Sequence, residues 1–152
     1  MTNLTYLQFA AHQFTDAGLE QMKGLTKLTS LHLSGTQVSD AGLVHLKGMT
    51  NLATLHLSAT QVRDLKHLAG LTNLTLLHLK SSKVDDTGIK HLKRLTKMQS
   101  LMLSGTQVSD AGLVHLTGME NLTILYLDGT NVTVQGVADL RKSLPNCKIS
   151  GP

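Results

Sequence analysis

Large rings are almost missing from this chain, which has no Trp, two Tyr and two Phe among 152 residues. A core must then be aliphatic, and a hydrophobic share of 41% supplies enough of it to exclude disorder. Cysteine is nearly absent too. Cys147 stands alone, so no internal disulfide can staple the fold and the disulfide-rich secreted classes are excluded. Charged residues make up only 16% of the chain, so hydroxyls and amides must carry much of the polar surface. The net charge is +4 with a pI near 9.3, which is too weak a balance for a dedicated nucleic-acid binder. Apolar runs extend over a few residues at most and exclude a membrane-spanning helix. Residues 1–11 lack the basic start and apolar stretch of a signal peptide, so a chain complete as given is expected in the cytoplasm.

What is present is repetition. Residues 33–46 read LSGTQVSDAGLVHL, and residues 103–116 repeat them letter for letter. That register divides one domain, residues 1–152, into six units: 4–27, 28–51, 52–73, 74–97, 98–121 and 122–146. Each follows L-x-x-L-x-L-x-x-T-x-V-x-D-x-G-L-x-x-L-x-x-L-x-x, clearest at Leu28, Leu31, Leu33, Thr36, Val38, Asp40, Gly42, Leu43, Leu46 and Met49. This pattern resembles the leucine-rich repeat family, specifically its bacterial solenoids, with Thr in place of the usual Asn at the ninth position. The third unit lacks the two residues matching Ala41 and Gly42 and looks like the 22-residue units of internalins. The resemblance implies an α/β horseshoe with parallel strands on a concave face, used to bind protein ligands.

The residues support the same architecture on physical grounds. Leu31-His32-Leu33 alternates with period two, as a strand with one buried face does. Asp16, Asp40, Asp86 and Asp110 precede apolar residues spaced by three, which reads as an N-capped short helix on the convex side. Gly18, Gly42, Gly88 and Gly112 fall in that first turn, where close backbone packing is expected. No single unit can bury its own leucine stripe, so neighbours must stack, giving six short strands. Leu7, Leu31, Leu55, Leu77, Leu101 and Leu125 then form one buried column, and the ninth-position hydroxyls hydrogen-bond backbone at the bend. The chain opens mid-pattern, which allows continuation into a longer array at the N-terminus. Residues 140–152 break the pattern and read as a C-terminal cap, with Cys147 buried and a last edge strand over 147–149.

Function is sought in the outward positions, where three columns project from the strands. The first runs Tyr6, Ser30, Thr54, Leu76, Ser100, Ile124; the middle, Gln8, His32, His56, His78, Met102, Tyr126; the third, Ala10, Ser34, Ser58, Lys80, Ser104, Asp128. Lys80 and Asp128 are the charges among them, so the face is neutral. The three successive histidines admit a transition-metal site, but no Cys or carboxylate completes a tetrahedral set and stacked rings diverge too little. They also admit a pH switch, because adjacent imidazolium charges repel. Simple duplication of the repeat's polar strand residue is the bland account. Ser34 and Ser58 follow His32 and His56 on the same face, yet no acid orients either imidazole, so no catalytic residues are expected.

The convex side looks like solvated surface. His45, His67, His91 and His115 share one position there, and Lys23, Lys47, Lys90, Lys93, Arg94 and Lys97 make a basic rim without the aromatic stacking residues of a nucleic-acid binder. Sequons at Asn3, Asn73 and Asn121 follow from the repeated Asn-Leu-Thr junction, and Asn131 adds a fourth, so they argue weakly for glycosylation. The expected function is a non-enzymatic interaction module without metal or cofactor. Its protein partner is held by Leu76, Met102, Ile124 and Tyr126, bordered by His78, Lys80 and Asp128, with His56, His32 and Tyr6 as further contacts on the same concave face. A spacer or fragment of a longer array without its own ligand is the alternative. Metal at the histidine column and anionic polymers on the rim rank lower.

Overall fold

The computed structural model describes residues 3–9 and 12–152. Its single sheet has seven parallel strands in chain order: β1 (Tyr6–Gln8), β2 (Ser30–His32), β3 (Thr54–His56), β4 (Leu76–His78), β5 (Ser100–Met102), β6 (Ile124–Tyr126) and β7 (Lys148–Ser150). Six strands were expected from the repeats. The seventh comes from the cap, where Lys148, Ile149 and Ser150 pair with Ile124, Leu125 and Tyr126 and cover the edge that β6 would otherwise expose. Register is one residue to one throughout, so Leu31, Leu55, Leu77, Leu101 and Leu125 form a fully buried column. Leu7 is only half-buried, because among the described residues β1 has a strand neighbour on one side only.

The returning segments are short. Helices α1 (Asp16–Met22), α2 (Asp86–Ile89), α3 (Asp110–Leu113) and α4 (Val134–Ser143) alternate with 3₁₀ turns at Gly42–Leu46, Lys66–Leu68, Lys90–Arg94 and Val114–Leu116. The third unit, two residues shorter, keeps only the Lys66–Leu68 turn. Leucines 43, 46, 92 and 116 turn inward and meet the strand leucines in one continuous core. Both phenylalanines lie in the first unit: Phe9 and Phe14 stack at a centroid distance of 3.9 Å and pack, partly buried, against the end of that core.

The aspartates do not cap their own helices as the sequence suggests. Asp86 accepts from the Ser109 backbone N–H at 2.7 Å and from the Ser109 hydroxyl at 2.6 Å, in the following unit. Asp16 takes the same two bonds from Ser39, and Asp110 from Thr133. Asp40 accepts from the backbone of Arg63 and Asp64. The caps are one residue earlier, at Asp85, Ser109 and Thr133, which accept from the first-turn N–H groups. Three of the first-turn glycines are explained by the same contact. A Cβ on Gly112 would stand 2.5 Å from Asp86 Oδ1, and Gly42 and Gly136 face Asp16 and Asp110 as closely.

Two further ladders tie the stack. Thr36, Thr60, Thr106 and Thr130 each donate a hydroxyl to the carbonyl three residues back, at 2.6 to 2.7 Å, as the ninth-position reading requires. His12, which holds that position in the first unit, is exposed instead. Asn51, Asn73 and Asn121 donate their side-chain amides to Thr26, Thr50 and Thr96 carbonyls of the preceding unit, at 2.8 to 2.9 Å. The amide nitrogens of two sequons are thereby engaged in holding the frame.

Candidate functional site on the concave sheet

Alternation in three-residue strands sends each flanking side chain outward, and the one-to-one register lines them up about 4.8 Å apart. The middle column becomes a stack. His32 and His56 have ring centroids 3.8 Å apart and planes 21° from parallel, and His56 and His78 lie 4.1 Å apart at 58°. Tyr6 meets His32 edge-on at 5.1 Å and donates its hydroxyl to Gln8 Oε1. Burial, then the neighbouring His78 and His32, lowers the His56 pKa from 6.5 to about 4. His78 is also lowered, chiefly by burial and then by His32. Its Nε2 is buried and has no hydrogen-bond partner among the described residues.

Beyond His78 the column continues through Met102 to Tyr126, and the face opens into a depression of about 700 Å³. Its lining brings together Lys80, Met102, Tyr126 and Asp128, four of the side chains the sequence singled out. Ile124, beside Tyr126 on β6, is exposed, and Leu76 on β4 is half-exposed. Tyr6 and His32 are not part of this depression and sit at the opposite end of the sheet. Asp128 accepts from the Ser150 hydroxyl at 3.0 Å, so β7 contributes to the site, and it adds Lys148 to the first column. Ser81, Gly105 and Gly129, which form one wall, escape sequence reasoning. They share a left-handed turn, at φ of 57°, 70° and 70°, and the recurrent Gly before Thr was the available signal. Ala10, expected at the head of the third column, lies outside the described residues.

Elsewhere the chemistry is structural. Cys147 is buried, and burial pushes its thiol pKa up, as a packing residue requires. At the irregular third unit Arg63 pairs with Asp85 at 2.6 Å, and Asp64 lies 3.4 Å from both Lys66 and His91. Between α3 and α4 a smaller hollow of about 270 Å³ is floored by Leu113, Val114 and Leu140. Among the described residues no three His, Cys, Asp or Glu side chains are grouped to hold a metal ion. No helix there is long and apolar enough to cross a membrane.

Comparison with known proteins supports the same frame. The leucine rich repeat family profile matches residues 24–46 and 70–93. No curated protein matches the sequence. Among solved structures, an internalin of Listeria monocytogenes is 27% identical with a TM-score of 0.78, over 91% of this chain and 38% of that one. A leucine-rich repeat protein of Leptospira interrogans is 27% identical with a TM-score of 0.80, over 97% of this chain and 37% of its own. Internalin C2 of Listeria monocytogenes is 27% identical with a TM-score of 0.71, over 99% of this chain and 72% of its own. The chain thus spans less than two fifths of the length of the first two. With seven stacked parallel strands, short returning helices and these neighbours, the chain has the leucine-rich repeat fold, and its repeats are similar to those of bacterial internalins.

Proposed function

We propose that the chain binds a protein partner on its concave sheet, over units four to six, and performs no catalysis there. The leucine-rich repeat fold is typically a protein-interaction scaffold, which supports the general reading. The observation that carries the particular one is the depression where Met102 and Tyr126 meet Lys80 and Asp128. Large side chains in a concave centre are where binding free energy concentrates, and a charge of each sign at the margins orients what docks. Ile124 and Leu76 extend the apolar floor along the first column, and the histidine column borders it.

The test is capture from the native source by the wild-type chain and by a Tyr126→Ala/Met102→Ala variant, followed by affinity measurement on the captured protein. We expect the double variant to bind at least about tenfold more weakly with an unchanged melting temperature, since both side chains project outward. Equal affinity would move the site off units four to six. A spacer without a ligand of its own predicts no capture at all.

A further inference from the structure

We propose that the His32–His56–His78 stack is a proton-operated element of the concave face, closed when the rings are neutral and opened when acid charges them. Its regulatory meaning rests on the concave-binding reading above, since the stack borders the depression through the His78 and Met102 pair. The geometry comes first. Three imidazoles on adjacent parallel strands are held with centroids 3.8 and 4.1 Å apart, so any two neighbouring protons place like charges about 4 Å from each other. The backbone fixes those strands, so repulsion is relieved by rotating rings out of the stack into the concavity.

The surroundings offer the charge no compensation. From β1 the column is faced by Tyr6 and Gln8, and His12 follows that strand; from β5 it is faced by Met102, Ser100 and Ser104. Lys80, two residues beyond His78 on its own chain segment, adds a further positive charge. The facing carboxylate is Asp128, two strands away beside Tyr126 and bonded to Ser150; Lys148 on β7 opposes it. His78 Nε2 is buried without a partner among the described residues, so a proton placed there would have no acceptor among them. The lowered pKa values of His56 and His78 agree with this picture, and they keep those two rings in contact as neutral groups near neutral pH.

The experiment is an NMR titration of the histidine rings in the full chain from pH 8 to 3.5, with circular dichroism recording the fold. The His56 ring should titrate at about 4, and the Tyr6 ring signals should move with the column as the edge contact to His32 is lost. In a His32→Gln/His78→Gln variant the His56 midpoint should rise by at least one unit. Rings that titrate independently near 6.5, or a His56 midpoint unmoved by the double replacement, would overturn the proposal. If the chain unfolds before the rings respond, the acid midpoint of unfolding is the readout. The double variant must then lower it by at least half a pH unit, and an unshifted midpoint counts against the stack. Because no partner enters the titration, it can fail with capture intact, and capture can fail with the titration intact.

Discussion

Single positions in the third and fourth units depart from the repeat in a way that shows what the repeat is for. The bend after each strand needs a left-handed residue, and Gly35, Gly105 and Gly129 provide it, whereas Ala59 and Ser81 adopt it at φ of 53° and 57°. A side chain in that conformation costs roughly 1–2 kcal/mol. Gly105→Ala should therefore lower stability by about that amount, read as a fall of a few degrees in melting temperature. An unchanged melting temperature would mean that the turn relaxes. Next to Ser81, the Ser82 hydroxyl is buried without a partner among the described residues, while Thr36, Thr60, Thr106 and Thr130 donate theirs. Ser82→Thr, by restricting the rotor and filling the methyl site, should gain about 1 kcal/mol, and thermal unfolding of the variant checks it. The histidines give a pH dependence of known sign. The folded-state pKa values of His56 and His78 lie below the unfolded value, so the unfolded chain binds more protons as pH falls through 6.5. Stability is therefore full above that pH and declines toward about 4. Asp64, Asp85 and Asp139, whose pKa values are lowered by their hydrogen bonds and neighbouring cations, lose their contribution only below their ordinary 3.8. Melting temperatures at pH 7.5 and 5 should thus differ in the wild type and differ less in His56→Gln, where the His78 contribution remains.

Between elements, the contact that locks one returning segment to the next is the aspartate of one unit against the glycine of its successor. Asp86 accepts two bonds from Ser109, and Gly112 leaves its carboxylate the room to do so. Removing the carboxylate in Asp86→Ala strands the Ser109 N–H, at a cost of about 2 kcal/mol. Adding a methyl in Gly112→Ala should cost a similar amount through the clash. Together they should cost less than the sum, because the new methyl occupies space the carboxylate has left. A double-mutant cycle by chemical denaturation should show at least about 1 kcal/mol of coupling, and additive losses would dissolve the pairing. The strands were legible because period-two alternation is local to three residues. The aspartates were misread because a sequence gives their offset from their own helix and hides the neighbour one unit on. The third unit held the clue: where its glycine is missing, Asp64 turns to Lys66 and His91, and Gly88 faces the Arg63 carbonyl instead. The glycine is lost there while both aspartates remain, Asp40 accepting from the Arg63 and Asp64 backbone and Asp64 from the Lys66 backbone.

At the scale of the molecule, the concave residues could be named from sequence because a fixed repeat sends equivalent positions the same way. Hence Lys80, Met102, Tyr126 and Asp128 were legible as one group, while the wall made by Ser81, Gly105 and Gly129 was not, since it is shaped by backbone dihedrals rather than by side-chain period. The separation of Tyr6 and His32 from that group also needed the structure, because it depends on where the face deepens. Stacking has a mechanical consequence as well. In a solenoid each unit contacts only its neighbours, so a core residue is worth what lies on both sides of it. Leu77 is fully buried between Leu55 and Leu101, while Leu7 is half-buried with Leu31 on one side. Leu77→Ala should cost about 2–5 kcal/mol, and Leu7→Ala distinctly less. Chemical denaturation measures both, and amide exchange separates their reach: Leu77→Ala should raise exchange in β3, β4 and β5, whereas Leu7→Ala should affect β1 and leave β4 protected. Equal losses for the two variants would mean that the stack unfolds as a single block, and the nearest-neighbour account of its stability would then fail.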